Sequence, residues 1–298
     1  MSIFKKKKIL VTHSGTFHAD DIFATAMLTI MLDGNVKVIR TRDESIMKTA
    51  DFLYDEGGVY DPSKNRFDHH QSGGAGAREN GIQYAACGLV WKTYGEKICG
   101  GAEIAKKIDE RLVQAIDAND NGMSLFDVKG EVGPYTLQDM FYSFRPSWKE
   151  PEEYDDAFMD LVDIAIGILD REIIRTRDML EAESRVKADY ENSTDKRIII
   201  LDQNYPWGEF LMQFPEPIYA VYLKAGLWRA EGVRKEKFSV DIRHNFPNAW
   251  GGLRDEELAK VTGVPDAVFC HRGLFLAVAK SKEGVLKLAE TALNTPQE

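Results

Sequence analysis

Over the first 120 residues, short apolar runs alternate with longer amphipathic stretches. Ile9 to Thr12 reads as a buried strand, followed by a glycine-containing turn and a helix from about Asp20 to Leu32. Val36 to Arg40 predicts the next strand, Asp43 to Thr49 a short helix, and Asp51 to Tyr54 a third strand stopped by Asp55-Glu56-Gly57-Gly58. This alternation predicts a parallel sheet with crossover helices. Ile104, Ile108, Leu112 and Ile116 recur every four residues and predict an amphipathic helix over 102–118, with Asn121-Gly122 as its stop. From Pro151 to about Asn192 the chain is charged and helix-prone, with Leu161, Ala165, Ile168 and Leu169 as an apolar stripe, and predicts one or two long helices. The remainder changes character. Runs at Arg197 to Leu201, Ile218 to Lys224, Phe238 to Ile242, Val268 to Cys270 and Leu274 to Ala279 predict strands, and a helix capped by Ser281 should close the chain near Asn294.

The fold class expected is α/β. An N-terminal parallel-sheet domain (1–150) is followed by a helical connector (151–194) and a smaller C-terminal α/β domain (195–298), with the site expected in a cleft between the domains. A chain of 298 residues with 44% hydrophobic content can form two cores. The net charge of −10 is unevenly placed: residues 1–194 hold 24 Lys and Arg against 34 Asp and Glu, whereas 195–298 hold 14 of each. Bound cations would neutralise part of that acidic excess. Cys87, Cys99 and Cys270 are odd in number and lack a CxxC pair, which argues against a disulfide framework or cysteine zinc site and fits a reducing cytoplasm. Lys5 to Lys8 precede only three apolar residues, so they read as a solvated strand entry rather than the start of a signal peptide. Ile22 to Leu32 is too short to span a bilayer, and no membrane partner is expected.

The candidate chemistry lies in two dense clusters, Thr12-His13-Ser14-Gly15-Thr16-Phe17-His18-Ala19-Asp20-Asp21 and Phe67-Asp68-His69-His70-Gln71. Imidazole and carboxylate together suit manganese, zinc, iron or cobalt, and an acid-rich set able to bridge two ions serves phosphate-ester hydrolysis. Acids in the first turn of a helix are also favoured by its dipole, which alone could account for Asp20 and Asp21. His13, Asp55 and His69 each follow a short apolar run, and ligands in open α/β sheets bind beyond the carboxyl ends of the strands. Asp117 and Asp120 sit at a helix C-terminus, where acids are disfavoured unless something positive lies close, so both become ligand candidates. The glycine-rich segment 71–81 fits either a cover over a substrate or a plain connection. Ser14 and Thr16 are better explained by turn formation than as nucleophiles.

These motifs, with Arg40-Thr41-Arg42-Asp43, Asp55-Glu56-Gly57-Gly58-Val59-Tyr60-Asp61-Pro62, Asp117-Ala118-Asn119-Asp120-Asn121-Gly122 and Gly251-Gly252-Leu253-Arg254-Asp255-Glu256-Glu257-Leu258, give the chain its resemblance to a known group. It resembles the DHH phosphoesterase superfamily, most closely the melanocyte-proliferating-gene (MYG) exonuclease branch, over nearly its whole length. Asp21 stands where many relatives have Glu, and Glu56 where they often have Val. The resemblance implies a two-metal site: His13, His18 and Asp55 on one ion, and Asp20, Asp55, His69 and Asp117 or Asp120 on the other, with Asp55 as the bridge. Asp68 would orient His69, and His70 would face the substrate phosphate. Two manganese ions are expected, with magnesium, zinc or cobalt as alternatives.

In the C-terminal part, residues 224–243 carry Lys224, Arg229, Arg234, Lys235, Lys237 and Arg243 against Glu231, Glu236 and Asp241, with Trp228 among them. That composition suits phosphate contact and base stacking, and equally a charged strand face around a core tryptophan. The resemblance implies substrate binding there, with Arg234, Lys235, His271, Arg272 and Gly273 as candidates. Arg145 is a further candidate, or else an anchor before the long helix. The expected function is a metal-dependent 3′–5′ exonuclease on single-stranded RNA or short oligonucleotides. The alternatives are a small-phosphate hydrolase, such as a pyrophosphatase or nucleotide phosphatase, and a non-enzymatic metal-stabilised binding module. The oligomeric state is left open, a homo-oligomer included.

Overall fold

Strand β1 (Lys8–Thr12), helix α1 (Ala19–Met31), strand β2 (Val36–Arg40), the single turn α2 (Glu44–Met47) and strand β3 (Phe52–Tyr54) follow one another as the apolar pattern predicts. The computed structural model describes residues 6–296, so Lys5 of the expected strand entry lies outside the described residues. The chain divides into two compact units between Arg177 and Asp178.

In the first unit β1 pairs in parallel with β2 and with β3, and β3 pairs in parallel with β5 (Arg66–Phe67). The fifth strand, β4 (Tyr60–Asp61), runs antiparallel to β5, so the sheet is mixed, in the order β2-β1-β3-β5-β4. The tight Pro62–Lys64 turn between β4 and β5 is too short for the crossover that a parallel pair requires. Helix α1 is buried continuously from Ala19 to Leu28. It packs on β1 and against α3 (Ala86–Cys99), an element whose sequence carries no clear apolar period. Gly88 of α3 explains why: a Cβ there would stand 1.8 Å from Asp117 Oδ2, so glycine is set by the approach of a carboxylate rather than by helix propensity.

The expected helix over 102–118 forms as α4 (Ala102–Ile108), a wider π turn at Asp109–Val113 and α5 (Gln114–Asp120). An apolar residue at every fourth position drifts around a 3.6-residue helix, and one wider turn recovers the face. Ile108 and Ile116 are accordingly both buried. Helix α6 (Leu137–Tyr142) follows, and then the single 38-residue helix α7 (Asp155–Asn192). Phe158, Leu161, Val162, Ala165, Leu169 and Ile173 of α7 join the core of the first unit, whereas Val186 belongs to a core of the second.

The second unit holds β6 (Ile198–Ile200), α8 (Gly208–Leu211), β7 (Tyr219–Lys224), β8 (Leu227–Gly232), α9 (Asp255–Thr262), β9 (Ala267–Cys270), β10 (Leu276–Ala279) and α10 (Lys282–Leu293). Its sheet order is β6-β7-β8-β10-β9, with β6 and β7 parallel and the other pairs antiparallel. Ser281 Oγ caps α10 by accepting the Gly284 N–H at 2.9 Å. The strand expected over Phe238 to Ile242 does not form. Ile242 makes a single bridge to Arg234 and is buried, whereas Phe238 and Val240 are 94% and 87% exposed, because no neighbouring strand takes up their alternation. Cys87, Cys99 and Cys270 are free and buried, and among the described residues no helix is long and apolar enough to cross a membrane.

The close approach at Gly88 yields a contrast. Gly88→Ala should displace Asp117 from its buried partners and lower unfolding stability by about 3–5 kcal/mol, the scale for breaking a buried ion pair. Gly167→Ala, on an exposed turn of α7 with open space around its Cβ, should raise stability by roughly 0.5–1 kcal/mol. Urea unfolding of the two variants checks this, and equal effects would contradict the packing described.

Candidate metal centre

The side chains gather at the carboxyl edge of the parallel strands. His13 follows β1, Asp55 follows β3, and Asp68-His69-His70 follows β5. Asp55 has φ +54°, a left-handed conformation that Asp tolerates better than most residues, while its N–H still donates to the Phe67 carbonyl at 3.2 Å. His18 precedes the first turn of α1, and its backbone N–H donates to Asp21 Oδ1 at 2.9 Å, which aims Asp20 and Asp21 inward from the helix start. Asp120 enters from the last turn of α5.

His13 Nε2 lies 3.1 Å from Asp55 Oδ2 and 3.2 Å from Asp21 Oδ2. His69 Nε2 lies 3.3 Å from both Asp55 Oδ1 and Asp120 Oδ2, and 4.0 Å from Asp20 Oδ2. Asp20 and Asp21 are fully buried and Asp55 nearly so. Burial alone would lower the His13 pKa, but the adjoining carboxylates of Asp21 and Asp55 raise it to about 10. The same contest, against Asp55 above all, raises His69. Burial pushes Asp20 and Asp120 upward, each reinforced by the charge of Asp55. Asp55 goes the other way: burial opposes its charge, but His13 and His69 hold its carboxyl below the ordinary range.

Several of these groups lack the partner that burial demands. Among the described residues, both oxygens of Asp20, Oδ2 of Asp21, Oδ1 of Asp55 and Nε2 of His69 are buried without a properly aimed hydrogen bond. Buried polar atoms are rarely left so, and lone pairs converging on shared points are what a cation requires. Three groups have donor atoms within 4.8 Å of one another: His13, His18 and Asp55; His18, Asp20 and Asp120; and Asp55, Asp68, His69 and His70. The oxygen and nitrogen donors fit a divalent ion of the manganese, magnesium, zinc or cobalt kind. A cavity of about 360 Å³ opens beside them, lined by His13, Thr16, His18, Arg42, Asp55, Glu56, Gly58, Asp68 and His70.

Asp68 braces the histidine pair by its backbone. Its Oδ1 accepts the N–H groups of His69 and His70 at 2.7 and 3.1 Å and lies 2.8 Å from His70 Nδ1, and its Oδ2 accepts Gly58 N–H at 2.5 Å. It therefore holds the ring of His70, not that of His69. Asp117 and Asp120 part company. Asp117 accepts from Arg78 Nη1 at 2.7 Å and Gly88 N–H at 2.9 Å, away from the cluster, while burial lifts its carboxyl to about 7 against the pull of Arg78. Arg145 donates to the Phe17 carbonyl and lies over the Tyr142 ring, 3.5 Å from its centroid, which is the anchoring arrangement.

In the second unit Arg234 and Lys235 are exposed in the loop after β8, and His271, Arg272 and Gly273 form the turn between β9 and β10. There His271 Nδ1 accepts Gly273 N–H at 3.0 Å and its ring packs on Phe275 at 4.3 Å. Arg243 is spent on the carbonyls of Met212, Phe214 and Pro217, and Trp228 packs against that unit's core beneath Lys282. Two contributors escape a reading of the sequence. Asp21, concealed as a first-turn acid, meets His13. Arg78, in the glycine-rich segment, pairs with Asp109 and Asp117, and no local pattern marks it.

Residues 9–293 match the model of a family described as Uncharacterised protein family (UPF0160), MYG1_exonuc. A MYG1 protein of Schizosaccharomyces pombe is 29% identical over 319 residues, covering 97% of this chain and 98% of the relative. The MYG1 exonuclease of Rattus norvegicus is 30% identical over 322 residues, covering 95% and 84%, and that of Homo sapiens is 28% identical, covering 95% and 85%.

The pKa shifts fix a pH dependence. His13, His69, Asp20 and Asp120 bind protons more tightly folded than unfolded, so the stability they contribute is present below their unfolded values and lost as pH rises through the folded ones. Asp55 contributes the reverse, present above its ordinary value and lost as pH falls through its depressed one. Metal-free protein should therefore lose thermal stability between pH 6.5 and about 10, the span set by His13. Divalent ions should remove most of that loss and release protons on binding. Melting curves with and without manganese, and calorimetry in buffers of different ionisation enthalpy, measure both. A flat pH profile without proton release would exclude the cluster as a metal site.

Proposed function

The chain belongs to the UPF0160 family of MYG1 proteins, and from that membership we propose that it is a divalent-metal-dependent phosphodiesterase, a 3′–5′ exonuclease on single-stranded RNA or short oligonucleotides. The observation that carries this reading is the convergence of buried, unpartnered carboxylate and imidazole atoms beside an open cavity. His13, His18 and Asp55 would hold one ion and Asp20, Asp55, His69 and Asp120 a second. Asp55, whose Oδ2 lies 3.1 Å from His13 and whose Oδ1 lies 3.3 Å from His69, would be the shared ligand. Two manganese ions, or magnesium, zinc or cobalt, would supply activation of water and neutralise charge on the phosphoryl group.

The rest falls to side chains. With Nδ1 tied to Asp68, His70 presents Nε2 at the cavity, where a proton can be held for the leaving oxygen. Its ring is 62% exposed, so it can meet a substrate that the buried ligands cannot. The Ser14 carbonyl, 3.2 Å from Nδ1, keeps the His13 ring oriented from behind, while Asp21 stands beside Asp55 on the Nε2 side. Arg234, Lys235 and Arg272 of the second unit are proposed to hold the nucleic-acid backbone, because their exposed side chains carry no structural duty comparable to that of Arg243.

Metal-stripped protein supplied with manganese, magnesium, zinc or cobalt should shorten end-labelled RNA from its 3′ end. Cleavage of pyrophosphate alone would favour a small-phosphate hydrolase instead. Asp55→Asn should weaken metal binding by roughly 100-fold or more and abolish turnover, whereas His70→Ala should cut turnover roughly 10²- to 10⁴-fold with metal stoichiometry intact. The opposite pattern, in metal analysis and rates, would reverse the two roles. Combining Arg234→Ala, Lys235→Ala and Arg272→Ala should impair oligonucleotide turnover and flatten its salt dependence while sparing a small chromogenic phosphodiester. Equal loss on both substrates would remove these residues from substrate binding.

A further inference from the structure

One side chain in the cavity belongs to neither the donor set nor the packing around it. Arg42 lies just past β2, where the Thr41 N–H donates to the Thr12 carbonyl at 2.8 Å and carries the β1–β2 pairing beyond the strand end. That bond sets Arg42 at the same sheet edge as His13. Among the described residues that line the cavity, Arg42 is the one permanent cation. The nearby arginines are committed elsewhere. Arg40, with its side chain 3% exposed, binds Asp155 and the Gly15 carbonyl, and Arg145 binds the Phe17 carbonyl.

Arg42 has a different kind of partner. Its Nη1 lies 2.5 Å from Glu56 Oε2, and the two side chains are 63% and 21% exposed. An ion pair so open to water is weak and readily exchanged. Glu56 itself lines the cavity, one residue after Asp55. A phosphate entering there meets Asp55, Glu56 and Asp68 as like charges, and a guanidinium offers it paired N–H donors in the geometry that phosphate oxygens accept.

We propose that Arg42 is the phosphate-recognising residue of this cavity, leaving Glu56 to bind a non-bridging oxygen of the incoming phosphodiester. This inference rests on the phosphodiesterase reading. Glu56 keeps Arg42 at the mouth before substrate arrives and competes with phosphate for it. Removing the arginine and removing its competitor must then act in opposite directions.

The test uses the manganese-loaded full chain with two probes, the p-nitrophenyl ester of thymidine 5′-phosphate for turnover and inorganic phosphate for binding by calorimetry. Arg42→Ala should lower kcat/KM and phosphate affinity roughly 10- to 100-fold, the worth of a charge-assisted hydrogen bond, with manganese stoichiometry unchanged. Arg42→Lys should recover part of the loss, since it restores the charge without the fork. Glu56→Gln should lower KM and tighten phosphate binding several-fold. Arg42→Ala within twofold of the unaltered chain on both probes would overturn the proposal. If Arg42→Ala fails to fold, Glu56→Gln decides alone, and unchanged or weaker phosphate binding overturns it. An unaltered chain that binds manganese yet cleaves no phosphodiester would defeat the functional reading. Phosphate calorimetry would in that case still decide the role of Arg42.

Discussion

Buried negative charge is the constraint around which the first unit is arranged. Asp20, Asp21, Asp55 and Asp120 crowd one end of the sheet with two imidazoles as their nearest compensation, and isolated carboxylates are costly to bury. Ordinary packing would place such acids on the surface. Here β3, α1 and α5 deliver them inward while β1 and β5 bring the two imidazoles, α1 is buried along most of its length to hold its first turn in place, and Asp55 adopts a left-handed backbone to reach the cluster. Strain and desolvation concentrated at one point are features of sites built for chemistry.

Another buried carboxylate nearby is treated in the opposite manner. Asp117 receives a guanidinium and a backbone N–H, and Gly88 is kept small to let it in. The same Arg78 grips Asp109 on the π turn through two hydrogen bonds. One arginine from a glycine-rich segment thereby fixes both ends of the helical stretch that presents Asp120 three residues later. One carboxylate of this helix serves as a rivet, and the other is left available.

How much of this was readable in the sequence depends on whether the cause is local. The β1–α1–β2–α2–β3 series follows from apolar runs, the glycine-containing turn after the first and the Asp55-Glu56-Gly57-Gly58 stop after the third, and His13, Asp55 and His69 follow from lying just past such runs. The apolar residues at 104, 108, 112 and 116 announce a helix, although the wider turn inside it emerges only from the drift of that spacing. Helix α3 was hidden because Gly88 answers to Asp117, a partner outside any window of sequence, and Gly95 makes room for the Trp91 ring one turn earlier on the same helix. Asp117 and Asp120 stand three residues apart on one helix, and partners distant in sequence, Arg78 and Gly88, distinguish them. At Phe238 to Ile242 the alternation was real, but alternation does not supply a neighbouring strand.

The close approach of His13 Nε2 to Asp21 and Asp55 bears on the order of assembly. Protons held there would act as counterions that let the pocket close around its acids, so folding would not have to wait for a metal. An ion would then enter a cavity whose donor spacing is already set, and it would displace protons rather than organise a disordered chain. In such a sequence the identity of the occupant is decided by ligand geometry and by the ions on offer at loading, not by the general affinity order of divalent metals. The metal content of a purified sample would accordingly record the medium in which the chain was loaded.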